Sequence, residues 1–540
     1  MRKLAVLFVA SSAAFVLACT WPRTAATPQP GASAPPYGNP VLRGDYPDPS
    51  VIRVGRDYWA TATTSQWAPI FPLLHSTDLV NWRLTGSVFQ SPPPWSAGSY
   101  WAPEISQDAG RFFVYYTARR KNGPLCVAVA DAAAPQGPYT DRGPLVCQDV
   151  GSIDAAAVTD ENGRRYLVWK EDGNSRKRPT PLWAQPLSAD GTALAGEKQE
   201  IFRNEAPWEA HLVEGPFIFR RADYFYMFYS ADACCGRGCN YKTGVARSRK
   251  LMGPWERHER NPILAGNDQW KCPGHGSIVE DPAGRTFFLY HAYHPSDFEF
   301  VGRQGLLDEV TWGADGWPAI HEGRGPSHAS PPSRPAPQSR TPSPLVDEFT
   351  GRTLDPAWQW PWDQQVAPEF EPERGGWLRL RTGTATHAVA ARPTLAGSYV
   401  ATAVVDAASI SAGARAGIAA FGNRDHLLAI TVERPSGGAE RRTPQSLQVT
   451  VWRTQKGQQT TLTTDTLNNL RLVHLQVSAA DRERFKFAVS SDGKNWKTLA
   501  SDIEGGYLPP WDLAVRAALL VTGPHASAAF DTYTLASSPR

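Results

Sequence analysis

Gly55-Arg-Asp-Tyr-Trp-Ala-Thr61, Gly110-Arg-Phe-Phe-Val-Tyr-Tyr116, Gly163-Arg-Arg-Tyr-Leu-Val-Trp169, Arg221-Ala-Asp-Tyr-Phe-Tyr-Met-Phe-Tyr229 and Gly284-Arg-Thr-Phe-Phe-Leu-Tyr290 are five versions of one phrase: a turn, then an aromatic-rich strand. They recur at intervals of 53 to 63 residues, counted between the first residues just quoted. A period of this size marks a radial or stacked array whose units bury their faces on one another. Residues at equivalent positions of such a ring converge on its axis. Seven to nine residues upstream of four phrases stands a carboxylate or a histidine: Asp48, Asp154, Glu214 and His275. The expected fold class is all-β, a five-bladed propeller that gathers three carboxylates in one place.

Working outward, residues 38–322 are the propeller, with short apolar runs bounded by Gly, Pro, Asp and Asn and no sustained helical period. Residues 323–344 are rich in Pro and Ser and read as a linker. Residues 345–540 carry eight candidate strands between Gly376 and Leu535, which predicts a two-sheet β-sandwich. At the other end, Arg2-Lys3 and the apolar run Leu4 to Leu17 make residues 1–19 a targeting signal. Val16-Leu-Ala-Cys19 resembles a bacterial lipobox, with Cys19 as the lipidated residue, and residues 20–37 read as a flexible tether. An exported lipoprotein facing the periplasm or cell surface is expected, with the lipid as its membrane contact.

The chain of 540 residues has a formal net charge of +3, with no basic tract that would suit nucleic acid. Its 20 Trp, 17 Tyr and 21 Phe suit both β-cores and sugar rings. Besides Cys19, six cysteines remain: Cys126, Cys147, Cys234, Cys235, Cys239 and Cys272. In an exported chain an even number suggests disulfides, and six allow fifteen pairings. Cys126 and Cys147 flank a candidate hairpin and are the expected pair. No histidine lies at finger-like spacing beside Cys234, Cys235 and Cys239, which argues against zinc.

Asp48 lies between two prolines, which hold the backbone extended and withdraw the amides that would enter a ladder. Asp154 and Glu214 lie among small and apolar residues, and burial raises a carboxyl pKa, as a general acid requires. Inverting glycoside hydrolysis uses two carboxyl groups roughly 6.5–9.5 Å apart, one protonating the leaving oxygen and the other activating water. A third raises the acid's pKa by like-charge repulsion.

The stretch Asn39-Pro-Val-Leu-Arg-Gly-Asp-Tyr-Pro-Asp-Pro-Ser-Val-Ile52 strongly resembles the opening of glycoside hydrolase family 43, the five-bladed propellers acting on arabinosides and xylosides. His75-Ser-Thr-Asp-Leu-Val-Asn-Trp82, Trp101-Ala-Pro-Glu-Ile105, Gly151-Ser-Ile-Asp154, Glu214-Gly-Pro216, Gly274-His-Gly-Ser277 and Gly302-Arg-Gln304 follow in the family's order. The resemblance implies an inverting mechanism with Asp48 as general base, Asp154 as pKa modulator and Glu214 as general acid. It places His275 on the cavity floor, where some members hold a calcium-linked water network, and brings Arg303 to the substrate. It makes Trp67 and Trp101 candidate sugar platforms and Glu104 a supporting carboxylate. No cofactor is required, with a structural calcium the one candidate. Residues 345–540 look like the concanavalin-like sandwich of family β-xylosidases, which packs on the propeller and narrows the site; the linker leaves an independent carbohydrate-binding module as the alternative.

The function expected is an exo-hydrolase removing terminal α-L-arabinofuranosyl or β-D-xylosyl units from plant polysaccharides or oligosaccharides. One rival is an endo-1,5-α-L-arabinanase, suggested by the Cys234-Cys235-Gly run; an exo-galactanase is disfavoured because those relatives lack the Asp48-type base. A surface glycan-binding lipoprotein without catalysis is the rival of another class.

Overall fold

Each aromatic phrase forms the second strand of a four-stranded antiparallel sheet in the computed structural model of the chain, which describes residues 37–330, 343–351, 353–371, 375–434 and 446–537. These second strands are Asp57–Thr61, Arg111–Arg119, Arg165–Glu171, Tyr224–Ala231 and Thr286–Tyr293. Their side chains are buried on both faces of the sheet, which is why the phrases read as continuous apolar runs rather than as alternation. The innermost strands are Ser50–Val54, Trp101–Asp108, Ser152–Thr159, Val213–Arg221 and Lys271–Glu280, and each abuts the next in cyclic order, the last returning to the first. The five sheets are therefore the blades of a closed propeller, and the fold class expected from the repeat is observed.

The ring is fastened beside blade 5. Tyr37–Gly38 pairs with Ala329–Ser330, and the Asn39 side chain donates to and accepts from the Leu307 backbone at 3.1 and 2.9 Å. Leu42 and Gly305 exchange a pair of backbone hydrogen bonds. An Asn amide carries a donor and an acceptor like a peptide group, so Asn39 imitates one more rung of the ladder.

The C-terminal domain is the two-sheet sandwich expected. One sheet contains Trp377–Arg381, Ser527–Ser537, Tyr399–Asp406, Leu472–Ala480, Arg484–Ser490 and Lys497–Glu504; the other runs His387–Pro393, Arg516–Thr522, Arg415–Asn423, His426–Glu433, Leu447–Gln455, Gln458–Leu467. His387–Pro393, Arg415–Asn423, Gln458–Leu467 and Lys497–Glu504 lie outside the eight candidate strands. Arg415–Asn423 is rich in Ala and Gly because it is packed on both faces; Gln458–Leu467 is a mostly exposed edge strand with little apolar content.

The outer face of that second sheet meets the propeller. Val389, Ala391, Phe421, Trp452 and Leu520 form one cluster with Trp67, which is 2% exposed. The Trp67 ring meets Phe421 edge-on at 5.8 Å and lies under the Arg516 guanidinium at 4.5 Å. Trp67–Ala68 also pairs as a strand with Trp360–Pro361. The expectation that Trp67 stacks on sugar is therefore corrected: its ring is spent on the interface between domains. The same cover occupies the outer face that an independent binding module would present, so the sandwich is docked on the propeller. Truncating a fully buried Trp costs roughly 3–5 kcal/mol, so Trp67→Ala should lower the calorimetric melting temperature by several degrees, and an unchanged midpoint would contradict this placement.

The sulfurs of Cys126 and Cys147 are bonded, as expected, and the remaining four pair as Cys234–Cys235 and Cys239–Cys272. The cysteine run is thus a disulfide cluster. Residues 1–19 with Cys19, nearly all of the tether and most of the linker lie outside the described residues.

Candidate active site

The start of every innermost strand is kinked. Asp48, Ala102, Asp154, Gly215 and His275 adopt φ values of +51°, +43°, +56°, +57° and +42°, and in blades 2 to 5 the pairing register breaks at the same place. Left-handed backbone costs an L-residue roughly 1–2 kcal/mol, and its repetition around the ring marks a constraint rather than an accident. All five kinked residues line one cavity on the propeller axis. In blade 4 the kink requires glycine, since a Cβ on Gly215 would lie 2.8 Å from the His275 ring.

The kinks turn backbone N–H groups towards the neighbouring blade, where side chains just beyond or near the end of the second strand accept them. Thr63 Oγ1 accepts from Ala102 at 2.7 Å, Thr117 Oγ1 from Asp154 at 3.2 Å, Ser230 Oγ from His275 at 2.8 Å and His291 Nδ1 from Asp48 at 3.0 Å. The fifth link differs. Its position is held by Lys170, which cannot accept, and the Gly215 amide donates instead to Asp154 Oδ2 at 3.0 Å. This belt joins all five blades.

Asp48 and Asp154 occupy equivalent kink positions, and His275 is their counterpart in blade 5. Glu214 does not: it stands one residue earlier, with Gly215 taking the kink. The expected equivalence of the three carboxylates is corrected by that one step. Glu104 lies two residues beyond the blade 2 kink and lines the same cavity; burial pushes its carboxyl up to about 8 against the opposing Ser50 hydroxyl.

The three carboxylates have different electrostatic surroundings. Burial by itself would raise Asp48, but the Arg303 guanidinium at 3.1 Å and His275 at 3.4 Å outweigh it and hold the carboxyl well below the usual range. Thr63 donates to its other oxygen at 2.7 Å. Burial pushes Asp154 up to about 6, with the Glu214 carboxylate adding to the shift and His275 opposing it. Glu214 is also buried, yet the Lys170 ammonium at 2.7 Å and the Tyr241 hydroxyl at 2.8 Å hold it below its ordinary value. Asp154 and Glu214 feel each other and titrate as a pair. Asp48 thus offers a carboxylate at neutral pH, while a proton taken up at this centre is shared by Asp154 and Glu214.

The sandwich reaches this centre. Asp512 accepts from Ser65 Oγ at 2.8 Å and from the second arm of Arg303, so Arg303 spans Asp48 and Asp512. Burial and the neighbouring Asp48 charge push Asp512 up to about 7 in spite of Arg303. Next to it, Trp511 is 64% exposed and meets the half-buried Trp101 edge-on at 6.4 Å. Arg237, beside the Cys234–Cys235 disulfide, donates to Glu483 and to the Gly506 carbonyl at 3.0 and 2.8 Å. Of the residues singled out from sequence, Asp48, Asp154, Glu214, His275 and Arg303 converge, Trp101 meets Trp511 of the sandwich, and Trp67 is elsewhere. Lys170, Tyr241, His291, Thr63 and Asp512 were not anticipated. A signal for most of the belt existed: Thr117, Lys170, Ser230 and His291 each follow directly on the last aromatic of a phrase.

Among the described residues no three His, Cys, Asp or Glu side chains gather as a metal site. His275 lies against Asp48 at 3.4 Å.

Residues 37–318 match the family described as glycosyl hydrolases family 43, and residues 346–510 match the β-xylosidase C-terminal concanavalin A-like domain. The chain is 32% identical over 320 residues to the xylosidase/arabinosidase 43B of Humicola insolens, covering 54% of this chain and 56% of that protein. It is 29% identical over 380 residues to a xylan 1,3-beta-xylosidase of a Vibrio species, covering 63% and 66%. The matched stretches thus span between about half and two thirds of those relatives. The crystal structure of the GH43 BlXynB protein from Bacillus licheniformis superposes with a TM-score of 0.76 at 25% identity, covering 93% of this chain and all (100%) of that one.

The raised value of Asp154 sets a stability test. Its folded value of about 6 lies above the ordinary 3.8, so ionisation is disfavoured by folding. The contribution is favourable below the ordinary value and is lost as pH rises through the folded one. Asp154→Asn should accordingly raise the melting temperature at about pH 8 and leave it unchanged near pH 3, as read by calorimetry across pH.

Proposed function

The chain belongs to glycosyl hydrolase family 43, and on that footing we propose that it is an inverting exo-hydrolase that releases terminal α-L-arabinofuranosyl or β-D-xylosyl units from plant polysaccharides or oligosaccharides. The observation that carries this reading is the gathering of Asp48, Asp154 and Glu214 at one buried centre, which the sandwich reaches through Asp512 and Arg303. An endo-acting enzyme needs an open groove, and the sandwich contact beside Asp48 favours a pocket.

In this mechanism Asp48 takes a proton from water as the water attacks the anomeric carbon from beneath, and Glu214 protonates the departing glycosidic oxygen from the opposite face. Asp48 suits the first role because Arg303 and Thr63 keep it ionised and oriented. Glu214 must carry the shared proton when the leaving group arrives, and the neighbouring charge of Asp154 opposes its ionisation. Arg303, His275 and Trp101 then serve the terminal sugar. The names of the two relatives, one joining xylosidase and arabinosidase, support a pentose in this position.

We propose further that the protein works after export, as a lipid-anchored lipoprotein through Cys19. The three disulfides support an oxidising compartment, and among the described residues no helix is long and apolar enough to cross a membrane.

Parallel assays on aryl arabinofuranoside, aryl xyloside and linear arabinan, with products resolved by length, test the reading. Single pentose units are expected; oligomers from arabinan would favour the endo alternative. Glu214→Ala should lower pentosidase activity by about 10²–10⁴-fold, and a loss of only a few-fold would remove Glu214 from the acid's role.

A further inference from the structure

Lys170 breaks the pattern of the belt. At the four corresponding positions Thr63, Thr117, Ser230 and His291 each accept a backbone N–H from the next blade. A lysine can only donate, and the Gly215 amide it leaves unserved is taken by Asp154. The ring is therefore complete at this point without help from Lys170. Its side chain is nonetheless 1% exposed, and its ammonium donates to Glu214 Oε2 at 2.7 Å and to Asp172 Oδ1 at 3.1 Å. Placing an ammonium in so dry a position is expensive unless it is paired. The pairing is directed at the carboxyl that the proposed mechanism requires to give up its proton.

We propose that Lys170 is the positioning residue of the general acid, fixing which Glu214 oxygen delivers the proton and stabilising the carboxylate left behind. This rests on the reading of Glu214 as acid. The Glu214 carboxyl has two partners, Lys170 on Oε2 and the Tyr241 hydroxyl on Oε1. With an ammonium donating to it, Oε2 has no room for a proton of its own. A tyrosine hydroxyl can turn from donor to acceptor, so Oε1 carries the proton. During the reaction the bond between the anomeric carbon and the leaving oxygen breaks, the Oε1 proton passes to that oxygen, and water supplies the new hydroxyl while giving a proton to Asp48. Glu214 becomes fully anionic at that moment, and Lys170 already stands against it.

The charged and titratable groups that face Glu214 are Lys170 from the second strand of blade 3, Asp154 from its innermost strand, Tyr241, and His275 from blade 5. Lys170 in turn faces Glu214, Asp172 and Asp154. Two substitutions therefore act in opposite senses. Lys170→Met removes the cation and makes Glu214 a weaker acid that holds its proton to higher pH. Asp172→Asn removes the competing carboxylate and leaves the full ammonium charge to Glu214.

The test measures kcat, KM and the pH profile of kcat/KM for Lys170→Met and Asp172→Asn. A pentose disaccharide serves as the substrate that needs protonation, and a dinitrophenyl pentoside as the one that does not. With Lys170→Met the disaccharide kcat should fall roughly tenfold or more, the dinitrophenyl rate should stay within about threefold, and the alkaline limb should move to higher pH. With Asp172→Asn the alkaline limb should move to lower pH. Equal losses on both substrates with an unmoved limb would overturn the proposal. So would an unmoved limb in Asp172→Asn, which decides the matter alone if Lys170→Met does not fold. Glu214→Gln is measured beside them: if it still cleaves the disaccharide, the assignment of the acid fails, whereas its loss beside two unresponsive Lys170 and Asp172 variants would sink only the inference drawn here.

Discussion

The belt of hydrogen bonds that joins each kinked innermost strand to its neighbour is the constraint on which the site depends. A kink at the start of a strand takes an N–H out of the ladder, and a buried N–H without a partner is costly. Each blade supplies that partner for the next, so no kink is satisfied until its neighbour is in place. The same turn of the backbone brings the kinked side chain to the cavity. Satisfying the backbone and assembling the active site are thus one event, completed when blade 5 returns to blade 1.

Charge is distributed with similar economy. Three carboxylates converge on one dry axis, and burial alone would protonate them all. Arg303 keeps Asp48 ionised, Lys170 opposes the rise at Glu214, and Asp154, without a direct cation, rises to about 6. Their three protonation tendencies are separated by which cation each carboxylate meets. The sandwich takes part because Asp512 holds the second arm of Arg303, which ties the charge beside the proposed base to the docking of a domain more than 200 residues away in sequence.

The burial of Trp67 shows how an aromatic can mislead. Its motif neighbours point to sugar recognition, and a Trp has the flat face that stacking needs. The face is instead covered by Phe421 and Arg516. The aromatic found exposed beside Asp512 is Trp511, in a Pro-Pro-Trp-Asp turn of the sandwich whose sequence carries no sign of what it faces. The step between Glu214 and the kink was equally hidden, because counting residues upstream of a phrase locates a strand's entrance only to within one or two positions.

By itself the sequence determined the five second strands, the repeat that closes them and the gathering of Asp48, Asp154 and Glu214 at its centre. Strand formation and turn chemistry are local, and a period of repeated local signals is legible along the chain. The tertiary structure alone decided that Glu214 precedes its kink, that Lys170 stands against it, that Asp512 crosses from the sandwich to Arg303, and that Trp67 serves an interface. Each of these is a contact between segments far apart in sequence, and its energy depends on distances of about 3 Å that exist only once the ring has closed and the sandwich has docked.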